Sequence, residues 1–136
     1  MATDISKLGK NLGELGVFRL SQIFTTLYAS KDYKWAEIIG NQLKKAEYDN
    51  YSLLSLENTI SNLTSAVLMG CDYSILKPFL DRKAVDKNIR TCLGWLKATL
   101  EYNFPLVPAI YQENARRLLN DLADIPIPKE IEENEE

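Results

Sequence analysis

Histidine does not occur anywhere in the chain. Its absence removes Ser-His and Cys-His nucleophilic pairs, two-histidine metal helices and the Glu-x-x-His sites of carboxylate-bridged di-iron bundles. There are two cysteines, Cys71 and Cys92, too few for a disulfide scaffold and spaced like no zinc motif. Both are expected to be small core residues, in a reducing cytoplasmic setting. The opening Met-Ala-Thr-Asp lacks a basic stretch leading into an apolar one, so no secretory leader is expected. The least charged stretch, Tyr51 to Cys71, has Glu57 as its single charge. It also carries Ser52, Ser55, Asn58, Thr59, Ser61, Asn62, Thr64 and Ser65, too many polar groups for a membrane span. Asn62-Leu63-Thr64 matches a glycosylation sequon, which means nothing without a leader. Trp35, Ala36 and Gly40 have a faint tetratricopeptide flavour, but nothing repeats them at the required offset. Alternating apolar runs bounded by hairpin turns are missing too, so no sheet is expected.

What remains is ordinary globular material: 46% hydrophobic and 26% charged residues, enough for one domain with a closed core. The charge is uneven. The net value is −3, yet from Asp121 to Glu136 there are seven acids against Lys129 alone, so residues 1–120 are mildly basic. The segment 125–136 follows Ile125-Pro126-Ile127-Pro128 and is too acidic to bury a core; it is expected to be an unfolded tail, leaving 1–124 as the domain.

Helical periodicity then partitions the body. Residues 1–16 place Ile5, Leu8, Leu12 and Leu15 in a seven-residue rhythm interrupted by Gly9, Gly13 and Gly16, which predicts a frayed or conditional helix. A helix over 17–30 presents Phe18, Leu20, Ile23, Phe24, Leu27 and Tyr28, and Lys31-Asp32 makes the turn. The next, 33–47, puts Trp35, Ile39, Leu43 and Ala46 on its core stripe. Asp49 or Asn50 caps a third, 51–69, with Leu53, Leu56, Ile60, Leu63 and Val67 in one arc and Gly70 as its C-terminal stop. With a single charge, this helix suits neighbours on more than one side, as the centre of a bundle or the seam of an oligomer. Asp72 or Ser74 opens a short turn in which Pro78 lies near a helix start. The longest helix is expected over 82–103, with Val85, Ile89, Cys92, Leu96 and Leu100 inward. After Phe104-Pro105 and Pro108, a last helix over 108–123 uses Val107, Tyr111, Ala115, Leu118 and Leu122. The fold class is therefore all-α: a compact bundle of about five amphipathic helices.

Two constellations could carry function. On the long helix, Lys83, Lys87, Arg90 and Lys97 share one solvent-facing line with Gly94, tempered by Asp86 and Glu101 and flanked by Trp95 and Tyr102. Such a stripe could follow a phosphate backbone while aromatic rings stack on bases; the plainer reading is a solvated face with i,i+4 pairs. The second set is a contact surface: Leu8, Leu12 and Leu15 in the glycine-punctuated start, and Leu54, Leu68 and Met69 off the core arc of the third helix. Glu57 is expected at the rim of that helix, and Arg116-Arg117 on the outer side of the last. No constellation supports catalysis, a metal, a cofactor or a small-molecule substrate. The expectation is a non-enzymatic assembly subunit working through a protein partner or self-association, with contact to nucleic acid as the alternative and no membrane contact.

Overall fold

A computed structural model describes residues 13–48 and 51–126, and among these residues it contains helices and no strand. The elements are α1 (Glu14–Ala29), α2 (Tyr33–Lys45), α3 (Leu53–Val67), a 3-10 turn (Tyr73–Leu76) running into α4 (Lys77–Leu80), α5 (Lys87–Asn103), two further 3-10 turns (Phe104–Leu106 and Ala109–Tyr111), and α6 (Gln112–Asp121). The all-α class and the approximate helix positions stand.

Local chemistry explains most of the boundaries. The carboxylates of Asp32, Asp72 and Asp86 and the hydroxyl of Ser52 each accept a backbone N–H in the first turn that follows them, satisfying donors a helix start leaves orphaned. Ser52, rather than Asp49 or Asn50, caps α3. The helix α1 closes with Asp32 N–H on the Leu27 carbonyl and Lys31 N–H on Tyr28, and α3 with Cys71 N–H on Ala66 and Gly70 N–H on Val67. Both are Schellman closures, which need a left-handed residue. Gly70 supplies it at φ 105°, Lys31 at φ 63°. Pro78 sits in the first turn of α4, where its missing N–H costs nothing.

The centre of the bundle is α3. On one side it meets α1 along a line of side-chain hydrogen bonds: Glu14 with Ser52 and Ser55, Asn62 Nδ2 to Ser21 Oγ (3.0 Å), Thr25 Oγ1 to the Asn62 carbonyl (2.7 Å), and Tyr28 Oη to the Gly70 carbonyl (3.1 Å). The partners advance together, so α1 and α3 run parallel. On its other side α3 meets α5. The Cys92 thiol donates to the Leu53 carbonyl (3.6 Å), and a hollow further along is lined by Ile60 and Ser61 with Leu96 and Thr99, so these two run parallel as well. The return helices α2 and α6 pack antiparallel to their neighbours: Phe24 lies over Gly40, and Arg116 sits near Phe104 while Lys97 reaches Ala123. The low charge of α3 thus reflects a helix enclosed on two sides. Leu56, Ile60, Leu63, Ala66 and Val67 are buried, and so are Thr59 and Thr64.

Several expectations need correction. The longest helix begins at Lys87, because residues 81–85 form turns and Asp86 caps the helix. Val85, read as core, is 85% exposed. Leu53 is partly exposed in the first turn of α3. In α2 the inward stripe is Ala36, Ile39, Gly40 and Leu43, and Trp35 is half exposed. The small residues face inward because Phe24 occupies the space: a Cβ at Gly40 would lie 2.9 Å from its ring. Ile125, assigned to the tail, is buried, so the packed body reaches at least that residue. The remainder of the tail and residues 1–12 lie outside the described residues.

Candidate functional surfaces

The basic stripe does not form as one line. Lys83 precedes the helix, and its ammonium donates to the Asp121 carbonyl (2.5 Å) and pairs with Asp124 (3.2 Å). Lys97, half-buried on α5, donates to the carbonyls of Ala123 (3.3 Å) and Ile125 (2.9 Å). Both lysines therefore satisfy acceptors at the end of α6, where the last turn of a helix leaves carbonyls without partners. Lys83 holds the Asp124 carboxyl below its ordinary range. Gly94, placed on the solvent line by its spacing, is buried, so α5 dips into the core between Arg90 and Lys97. Lys87 and Arg90 remain exposed, with Arg90 donating to the Ala84 carbonyl (3.4 Å). Trp95 is half-buried beside Glu57 and Cys92 in the hollow between α3 and α5, while Tyr102 stands free at the far end. Four cations in sequence register thus become two exposed ones and a two-lysine clamp.

The contact set divides as well. Leu8 and Leu12 lie outside the described residues. Leu15 and Leu54 are both largely exposed, and they sit at one end of the molecule, since Glu14 bonds to Ser52 and Ser55 on either side of Leu54. Those two hydroxyls hold the Glu14 carboxyl below its usual value. At the opposite end of α3, Leu68 and Met69 are half-buried, and Leu68 packs against the core.

The periodicity reading missed the α5–α6 corner. Tyr102 is 86% exposed, and Leu106 and Ile110 are 79% exposed each. No charged residue lies between Glu101 and Glu113, and Pro105, Pro108 and Ala109 in the same corner are also exposed. A signal was present: Phe104 to Tyr111 is an uncharged, proline-broken run in which Leu106 and Ile110 fall off the Val107–Tyr111 stripe expected of the last helix. Nearby cations are occupied. Arg116 pairs with Glu113 (3.6 Å) and lies 5.6 Å from the Phe104 ring centre, and Arg117 stands 4.3 Å over Tyr73, whose hydroxyl donates to Asp121.

The cysteines are buried and unpaired. Burial pushes both thiols up to about 12, so neither is a thiolate nucleophile near neutrality. Glu57 is exposed, as its rim position predicts. Among the described residues no three of His, Cys, Asp and Glu gather as a metal site, and no helix is long and apolar enough to cross a membrane. No family model matches the chain, and neither a curated protein nor a solved structure matches it at a significant level.

Proposed function

We propose that this chain is a non-enzymatic interaction subunit that assembles, with copies of itself or within a larger complex, through apolar side chains at the α5–α6 corner. The observation that carries this reading is the exposure of Tyr102, Leu106 and Ile110 in a run without charge. Single exposed apolar residues are common on monomers, whereas a cluster of large ones marks a contact surface. Leu15 and Leu54 offer a second, smaller surface at one end of α1 and α3. Two buried, unpaired thiols support a reducing cytoplasmic setting.

The test is size-exclusion chromatography with light scattering on the whole chain and on the double variant Leu106→Asp/Ile110→Asp. Both positions face solvent, so the fold survives. The expected result is a discrete assembly, formed alone or with a captured partner, that the double variant dissolves. A chain that stays monomeric and keeps every partner it captures after the change defeats the proposal. A nucleic-acid-associated role would rest on Lys87, Arg90 and Trp95, and adding single-stranded RNA and DNA at low and high salt to the same runs tests it.

A further inference from the structure

A cleft of about 310 Å³ lies between α1, α2 and the 3-10 turn at Tyr73–Leu76, at the lower end of the range for small-molecule sites. Its apolar floor exists because α2 carries glycine at position 40. Phe24 packs where a Cβ would otherwise project, and Ile75 faces the same space. One wall is aromatic. Tyr28 and Tyr33 both line the cleft, their ring centres 5.0 Å apart in an edge-to-face arrangement. The Tyr28 hydroxyl already donates to the Gly70 carbonyl, so the ring is what Tyr28 offers a cation.

The charged groups of the cleft do not cancel. Glu37 and Lys44 stand on α2 seven residues apart, roughly 10 Å along the axis, and both line the cleft with Asp72. Asp72 accepts the Ser74 N–H, and that bond, followed by the Lys44 and Arg117 charges, holds its carboxyl below the usual range. Lys44 is thus one base against two acids, Glu37 and Asp72, in the lining. Glu37, beside the tyrosine pair, has no hydrogen bond or ion pair among the described residues.

We propose that this cleft binds a small organic cation with an apolar body, its ammonium held between the Glu37 carboxylate and the tyrosine rings and its body on Phe24. Ring faces attract cations through their quadrupole, and a carboxylate at the same spot adds a point charge. The closed floor and small volume suit a free molecule. This site is separate from the α5–α6 corner and does not depend on the assembly reading.

Three ligands of one shape decide it on the full chain: phenethylammonium, 2-phenylethanol and 3-phenylpropionate, titrated by calorimetry and by chemical-shift mapping. The amine should bind saturably with shifts centred on Tyr28, Tyr33 and Gly40. The alcohol should bind about five-fold more weakly, and the carboxylate more weakly still. Glu37→Gln should cut the preference for amine over alcohol to what the tyrosine rings alone supply, and Tyr33→Ala should weaken the amine about five-fold. Both side chains are exposed, and circular dichroism checks that the fold is kept. Equal binding of the three ligands, no saturable binding of the amine, or an amine preference that Glu37→Gln leaves undiminished would each overturn the proposal.

Discussion

Two polar regions tie helices together in this molecule by different means. The α1–α3 seam uses mainly neutral groups, with Ser21 fully buried and Asn62 and Thr25 half-buried. The α5–α6 clamp uses the ammonium groups of Lys83 and Lys97 on carbonyls and one exposed carboxylate. A buried neutral hydrogen bond is little affected by salt, and losing one partner leaves the other stranded away from water. A charged bond near the surface is stronger as a pair but is screened, and water replaces it when it breaks. The seam therefore fixes which way the helices run, while the clamp fixes the end of α6 against α5.

The comparison is sharpest at Ser21. Replacing it by alanine strands the Asn62 amide and frees the Phe18 carbonyl that the hydroxyl bonds (2.7 Å). The expected loss is about 2 kcal/mol, unchanged between low and high salt, read from urea midpoints. A loss that shrinks with salt would mean that the seam is wet and that the contrast fails. At the clamp, Lys97→Met keeps the stem but drops two carbonyl bonds. It should cost about 1 kcal/mol at low salt and less in 1 M sodium chloride. Equal cost at both salts would make the clamp as enclosed as the seam.

The smallest effect lies on the acid side, where each region carries one depressed carboxyl. The Ser52 and Ser55 hydroxyls lower Glu14 from 4.5, and Lys83 lowers Asp124 from 3.8. A carboxyl depressed in the folded state contributes stability that is complete above its unfolded value. That contribution is lost as pH falls through the folded value. Urea midpoints should therefore drop below about pH 4.5. Lys83→Met should flatten the Asp124 part of that drop, and Glu14→Gln the earlier part. A drop indifferent to both substitutions would place the acid-sensitive groups elsewhere.

How far the sequence reveals these regions depends on distance along the chain. Helix stops and starts are local: Gly70 and Asp72 act within a few residues, so that punctuation is legible. At α3 three polar residues stand close together, and the cap falls to Ser52 instead of the expected Asp49 or Asn50. Where two local signals compete, the reading slips. The spacing Val85, Ile89, Cys92 continues a helical period through Asp86, but the Asp86 carboxylate captures the Ile89 N–H and starts the helix there. Trp35 takes the core stripe by size, yet Ala36 and Gly40 turn inward because Phe24, twelve or more residues away, fills the space. The seam partners stand about forty residues apart, and no period in α3 says whether a serine faces solvent or another helix. Lys83 and Lys97 have the same ambiguity. Spacing puts them on one line, but their acceptors belong to a helix that the line does not contain. The Tyr28–Tyr33–Glu37 cleft is hidden in the same way, since it takes its floor from Ile75.

Parallel packing of α1, α3 and α5 also gives the molecule an electrical direction. Each helix carries about half a positive charge at its start and half a negative one at its end, and antiparallel bundles cancel these in pairs. Here three longer helices add and two shorter ones oppose, leaving a net positive pole at the end of Glu14, Ser52 and Asp86. Two of those three residues are acids, and Glu14 extends its carboxylate to the start of the neighbouring helix as well. The carboxylates of Glu14 and Asp86 thus stand where the summed helix starts are positive, and replacing either with its amide leaves that pole uncompensated.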